Sequence, residues 1–217
     1  MRPNRRSVPA TISAEALAYW YLRLNGFLTI QNFVVHPDTG RNQGTDVDVL
    51  GVRFPYRAEN LLKPMRDDEG FSQYQDRPLF VIAEVTTQPC KLNGPWTNPA
   101  QRNMLRVLRA IGAFSTHHAP SVAAALYEHG LFENEKYSVS LLCIGREKSQ
   151  TVAEQYPKVP QLTLDHLAGF IYVRFREYRR QKVAHSQWDQ DGHRLWDLAD
   201  RSSTFEGFFS ELSIVAR

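Results

Sequence analysis

The sequence predicts a layered α/β domain, and three observations predict it. The apolar run Leu79-Phe80-Val81-Ile82-Ala83 has the composition of a strand covered on both faces. Two segments before it, 27–35 and 45–54, are rich in β-branched and aromatic residues and read as an antiparallel hairpin. Segments with helical spacing of apolar residues stand before, between and after these strands, the order expected when helices cover a sheet.

The first helix opens at Ser13, a good N-cap, and places Leu17, Trp20, Tyr21 and Leu24 on one face before stopping at Asn25-Gly26. The 27–35 strand closes at His36-Pro37-Asp38-Thr39-Gly40, and the 45–54 strand ends at Pro55, so a long polar loop joins them. Residues 57–78, with Pro64, Gly70, Pro78 and Asp67-Asp68-Glu69, read as an inserted loop with a helical turn. After Glu84-Val85-Thr86 a loop runs from Cys90 to Trp96. Asn98-Pro99 then predicts the start of a helix with Met104, Leu105, Leu108 and Ile111 inward. A short helix over 121–129 and a strand over 137–144 follow. Pro157 and Pro160 break the chain before a long helix from near Asp165. Gly192 is expected to separate that helix from a last helical stretch holding Leu195, Trp196, Leu198, Phe205, Phe208 and Leu212.

With 217 residues, 42% hydrophobic and 12% aromatic, the chain is long and apolar enough to bury one sizeable core. It is expected to form a single domain over 1–217, a core at 13–150 with a helical extension at 160–217. Two cysteines, Cys90 and Cys143, exclude a disulfide scaffold and a thiolate zinc site and fit a reducing compartment. The basic N-terminus lacks the apolar stretch of a secretory signal, and no apolar run approaches the ~18 residues of a membrane span. The expected location is cytoplasmic, with no membrane partner. There is no Gly-x-Ser-x-Gly elbow, Gly145-Arg146-Glu147-Lys148-Ser149 lacks the spacing of a phosphate loop, and His117-His118 is no zinc pair.

The chemistry-bearing signal is a set of carboxylates on strands. In Gly44-Thr45-Asp46-Val47-Asp48-Val49-Leu50-Gly51, strand alternation puts Asp46, Asp48 and Leu50 on one face and Val47 and Val49 on the other. Glu84 ends the most apolar strand, where an ionised carboxylate is costly unless a cation or donors meet it. Magnesium is held by one or two carboxylates plus phosphate oxygens, which suits Asp48 and Glu84 on neighbouring strands.

Glu15 on the first helix, Gly26-Phe27, Asp46-Val47-Asp48-Val49-Leu50-Gly51 and Val81-Ile82-Ala83-Glu84-Val85-Thr86 together resemble the PD-(D/E)XK nucleases, the restriction-endonuclease-like superfamily. The resemblance covers about residues 13–115. It implies a three-layer sandwich on a central mixed sheet and Mg2+- or Mn2+-dependent endonuclease activity on nucleic acid, with DNA the expected form. It further implies that Asp48, Glu84 and the Val85 carbonyl bind metal and that Glu15 and Gln101 stand near the site; Asp46, on the strand face of Asp48, is expected to assist with Glu15. The family lysine is replaced by Thr86, and Lys91 follows five residues on. Either Lys91 serves from a displaced position, or the chain is a degenerate member that binds nucleic acid or a protein partner without cutting. A second copy of the chain is a further candidate partner.

Across residues 170–182, Arg174, Arg176, Arg179, Arg180 and Lys182 stand against Glu177 alone, a local charge of +4. A helix there would present a phosphate-tracking face, or an ordinary solvated one.

Overall fold

The computed structural model of the chain describes residues 10–36, 45–183 and 188–216, so the expected 36–40 turn lies, from residue 37 on, outside the described residues. A short strand, β1 (Ala10–Ser13), leads into α1 (Ala14–Leu24), and the hairpin strands β2 (Leu28–Val35) and β3 (Thr45–Arg53) follow. Ser13 caps α1, its Oγ accepting the Ala16 N–H at 3.1 Å. A 3₁₀ turn, Glu69–Tyr74, interrupts the loop before β4 (Leu79–Val85). Next come α2 (Gly94–Thr97), α3 (Asn103–Ile111), α4 (Ala119–His129), β5 (Leu131–Glu133) and β6 (Ser138–Gly145). The chain finishes with α5 (Gln150–Gln155), β7 (Gln161–Thr163), α6 (Leu164–Glu177), α7 (Gln190–Arg201), α8 (Phe205–Glu211) and β8 (Leu212–Val215).

Six strands form a mixed sheet in the order β2-β3-β4-β6-β5, and β7 also pairs with β6. The β2–β3–β4 meander is antiparallel, whereas β4 and β6 run parallel. With β4 along one edge of β6, β5 takes the Ser138–Ser140 end of the other edge and β7 its Cys143–Gly145 end. Strand alternation sends Val81 and Ala83 into one apolar core with α1, α6, α7 and α8. It sends Ile82, Val139, Leu141 and Cys143 into a second core with α3 and α4. Helices thus cover both faces of a mixed sheet. Among the described residues no helix is long and apolar enough to cross a membrane.

Several expectations are corrected. The segment after residue 160 is no appended extension: α6 packs on α1 in the first core, and β8 pairs in parallel with β1. The segment ends in a strand, which carries Leu212. Gly192 is not a separator. It lies in the first turn of α7, where its N–H is capped by Asp189 Oδ1 at 2.7 Å, and a Cβ there would stand 2.0 Å from the Trp20 ring. The helix expected from Pro99 begins instead at Asn103, because Pro99–Gln101 is a 3₁₀ turn and Arg102 takes φ +57°. The long helix stops at Glu177, so Arg179, Arg180 and Lys182 lie beyond it.

Candidate active site

The regular alternation expected in β3 breaks at Asp48. Val47 and Leu50 both enter the α3/α4 core while Val49 enters the α1 core. Opposite the break, on β2, Asn32 takes φ +52°, and the ladder register passes from Gln31–Val49 to Phe33–Val47. On the other side the β3–β4 ladder ends at Val49–Ala83. One step further, where Asp48 would face Glu84, the Asp48 carboxylate has turned into the ladder and its Oδ2 accepts the Val85 N–H at 2.7 Å. The two strands therefore part around a carboxylate from each.

Glu84 lies on the α3/α4 face of β4 and is 7% exposed. Trp96 of α2 donates its indole N–H to Glu84 Oε2 at 2.5 Å, and the Asn93 amide donates to Oε1. Burial first, and the Asp48 charge second, push the Glu84 carboxyl up to about 7. The Trp96 hydrogen bond and the Lys91 charge act downward, and Asp46 adds a smaller upward push. These couplings bring Asp46, Asp48, Glu84 and Lys91 into one electrostatic cluster.

The loop carrying Lys91 is pinned to the end of β6. Arg146 N–H donates to the Gln88 carbonyl and Cys90 N–H to the Glu147 carbonyl, each at 2.9 Å. Gly145 permits this approach, since a Cβ there would stand 2.7 Å from both Cys90 N and Gln88 O. Lys91 itself is exposed. Thr86, where the sequence resemblance would call for a lysine, turns its hydroxyl into the loop, where Oγ1 accepts the Gln88 N–H at 3.1 Å.

Other expected site residues are not joined to this cluster. Glu15 sits in the first turn of α1, in the layer on the opposite face of the sheet from Glu84, and its buried Oε2 has no hydrogen-bond partner among the described residues. Gln101 is exposed in the 3₁₀ turn and accepts the Asn103 amide at 3.0 Å. The predicted basic face is largely dismantled. Arg174 is 3% exposed and folded inward, donating to the Arg66 carbonyl and lying 5.0 Å over the Phe170 ring. Lys182 pairs with Glu59, and Arg179 pairs with Asp200 at 2.5 Å. Arg176 and Arg180 remain exposed.

Asn93 and Trp96 were not legible as site residues. The sequence signal available was an indole, an obligate donor when buried, close after a strand ending in a buried acid.

The donor set of Asp48, Glu84 and the Val85 carbonyl is all oxygen and fits Mg2+ or Mn2+, with water and phosphate completing the shell. A divalent cation would relieve the repulsion from Asp48 that helps push the Glu84 carboxyl up. The bonds from Trp96 and Asn93 leave lone pairs on both Glu84 oxygens. Among the described residues no group of three or more His, Cys, Asp or Glu that could hold a metal ion is found.

Comparison with known protein families, with curated proteins and with solved structures finds no match to this chain.

Proposed function

We propose that the chain is a metal-dependent endonuclease of restriction-endonuclease-like architecture, hydrolysing phosphodiester bonds in nucleic acid, with DNA the expected substrate. The observation that carries the reading is the meeting of Asp48 and Glu84 where β3 and β4 part, with the Val85 N–H on Asp48 and Glu84 pushed up to about 7. Asp48, Glu84 and the Val85 carbonyl would hold Mg2+ or Mn2+, which when bound supplies charge neutralisation and a water of lowered pKa. The Val85 amide fixes the Asp48 carboxylate. Asn93 and Trp96 hold one oxygen each of the Glu84 carboxylate, so both acids are positioned before binding. Lys91, on a loop tied to β6, places a flexible ammonium beside the acids, where it can meet charge developing on phosphate.

A second reading is a degenerate module that binds without cleaving, and the Thr86–Gln88 hydrogen bond favours it, since Thr86 fills the family lysine position with a group engaged in its own loop. A panel of DNA and RNA substrates incubated with Mg2+, with Mn2+ and with EDTA decides between them. Cleavage that requires the metal supports the enzyme, and binding with no cleavage in any metal selects the degenerate module.

A further inference from the structure

Resting on the nuclease reading, a question follows about what holds the substrate, because the basic run at 174–182 is mostly neutralised within the fold. The answer lies on α3. From Val85 to Tyr127 the chain carries no Asp or Glu, while Lys91, Arg102, Arg106 and Arg109 all fall within it. Arg106 and Arg109 lie on α3 and Arg102 is its N-cap residue. All three border a cleft of about 360 Å³ shared with Val34, His36 and Leu105.

The cleft adjoins the carboxylate cluster by two routes. Val34 on its β2 wall pairs with Asp46 of β3. On the other wall the chain runs from Trp96, bonded to Glu84, through the 3₁₀ turn into Arg102. Arg102 and Arg109 are exposed, and among the described residues neither makes an ion pair. Arg106, between them, is half-buried, with its guanidinium donating to the Gln101 carbonyl at 2.6 Å. Two exposed cations, Arg102 and Arg109, on a stretch of chain with no acid of its own and beside a cluster of carboxylates, match a ligand that brings its own repeating negative charge.

We propose that the cleft between the end of β2 and α3 is the backbone-binding track of the substrate, in which Arg102 and Arg109 take phosphates of a nucleic-acid strand leading to Asp48 and Glu84. These are binding residues and not base readers, so they supply affinity without sequence preference.

The test is fluorescence anisotropy in EDTA, with labelled DNA and RNA duplexes of one sequence titrated across a range of salt. Arg102→Gln/Arg109→Gln, at two exposed positions that do not support the fold, is compared with Arg176→Gln/Arg180→Gln and with wild type. The proposal expects the slope of log affinity against log salt on DNA to shrink by about 1.8 in the α3 variant, at about 0.9 per phosphate contact. The Arg176/Arg180 variant should keep the wild-type slope. The nucleic acid that shows the loss, DNA or RNA, is the source of the phosphates. An unchanged slope in the α3 variant, with wild type binding normally, overturns the track and leaves the nuclease reading standing. Displacement of the duplex by polyglutamate at equal charge also overturns it, in favour of an acidic protein partner. Failure of wild type to bind either nucleic acid overturns the track and the nuclease reading together.

Discussion

Asp48 Oδ2 accepts the backbone N–H of Val85 at 2.7 Å, so a side chain from β3 takes the place of a ladder carbonyl on β4. Asparagine can keep that acceptor while losing the charge, whereas alanine leaves a part-buried N–H unpaired. Asp48→Asn should therefore fold with at least wild-type stability in EDTA, because the repulsion on Glu84 is removed. Asp48→Ala should lose about 1–3 kcal/mol relative to Asp48→Asn in urea unfolding. Equal stability of the two variants would show that this hydrogen bond does not hold the strands.

Glu84 makes metal-free stability depend on pH. Its folded pKa of about 7 lies above its unfolded value, so the folded chain binds the extra proton between the two. That contribution is present below the unfolded pKa and is lost as pH rises through about 7. In EDTA, unfolding free energy should fall by about 2–3 kcal/mol between pH 5 and pH 8, with Tm falling in step. Asp48→Asn should flatten the fall, since the Asp48 charge is the second cause of the shift. A wild-type curve no steeper than that of Asp48→Asn would remove the coupling between these acids.

Lys91 is expected to act on rate and not on affinity. Lys91→Ala should slow cleavage by about 10²–10³ with little change in binding, the usual cost of one preorganised donor. Thr86→Lys in that background should recover part of the rate, since position 86 follows Glu84 by two residues and so shares its face at the end of β4. If Lys91→Ala cuts at the wild-type rate, Lys91 is a solvated loop residue.

Gly192 offers a check on the fold away from the site. Helix propensity favours alanine there, but a Cβ would meet the Trp20 ring, which is 1% exposed and whose indole N–H is anchored on Asp189 at 3.0 Å. Gly192→Ala should therefore destabilise by about 1–3 kcal/mol in urea unfolding, the range for overpacking. A gain in stability would mean that α7 can slide off α1.

Much of this was legible in the chain. Ser13, Asn25-Gly26 and the run at 79–83 marked α1 and β4 because capping and burial are local properties. Asp48 and Glu84 stood out because acids are expensive on apolar strands. The break in alternation at Asp48 was not legible, since it coincides with the positive φ of Asn32 on the facing strand, which no local pattern in β3 records. Nor was the fate of Arg174 and Lys182, whose partners Arg66 and Glu59 are more than a hundred residues away in sequence. Gly192 misled for a related reason: its purpose is the Trp20 ring across the core, and no neighbour in sequence records that. The β1–β8 pair joins the two ends of the described chain and has no local signature.

The most direct test of the central claim is a single-turnover cleavage assay of wild type and Asp48→Asn on labelled DNA, with Mg2+ and with EDTA. The account predicts wild-type cleavage only with Mg2+, and no cleavage by a folded Asp48→Asn variant under either condition. Cleavage by wild type in EDTA, or undiminished cleavage by Asp48→Asn in Mg2+, would contradict it.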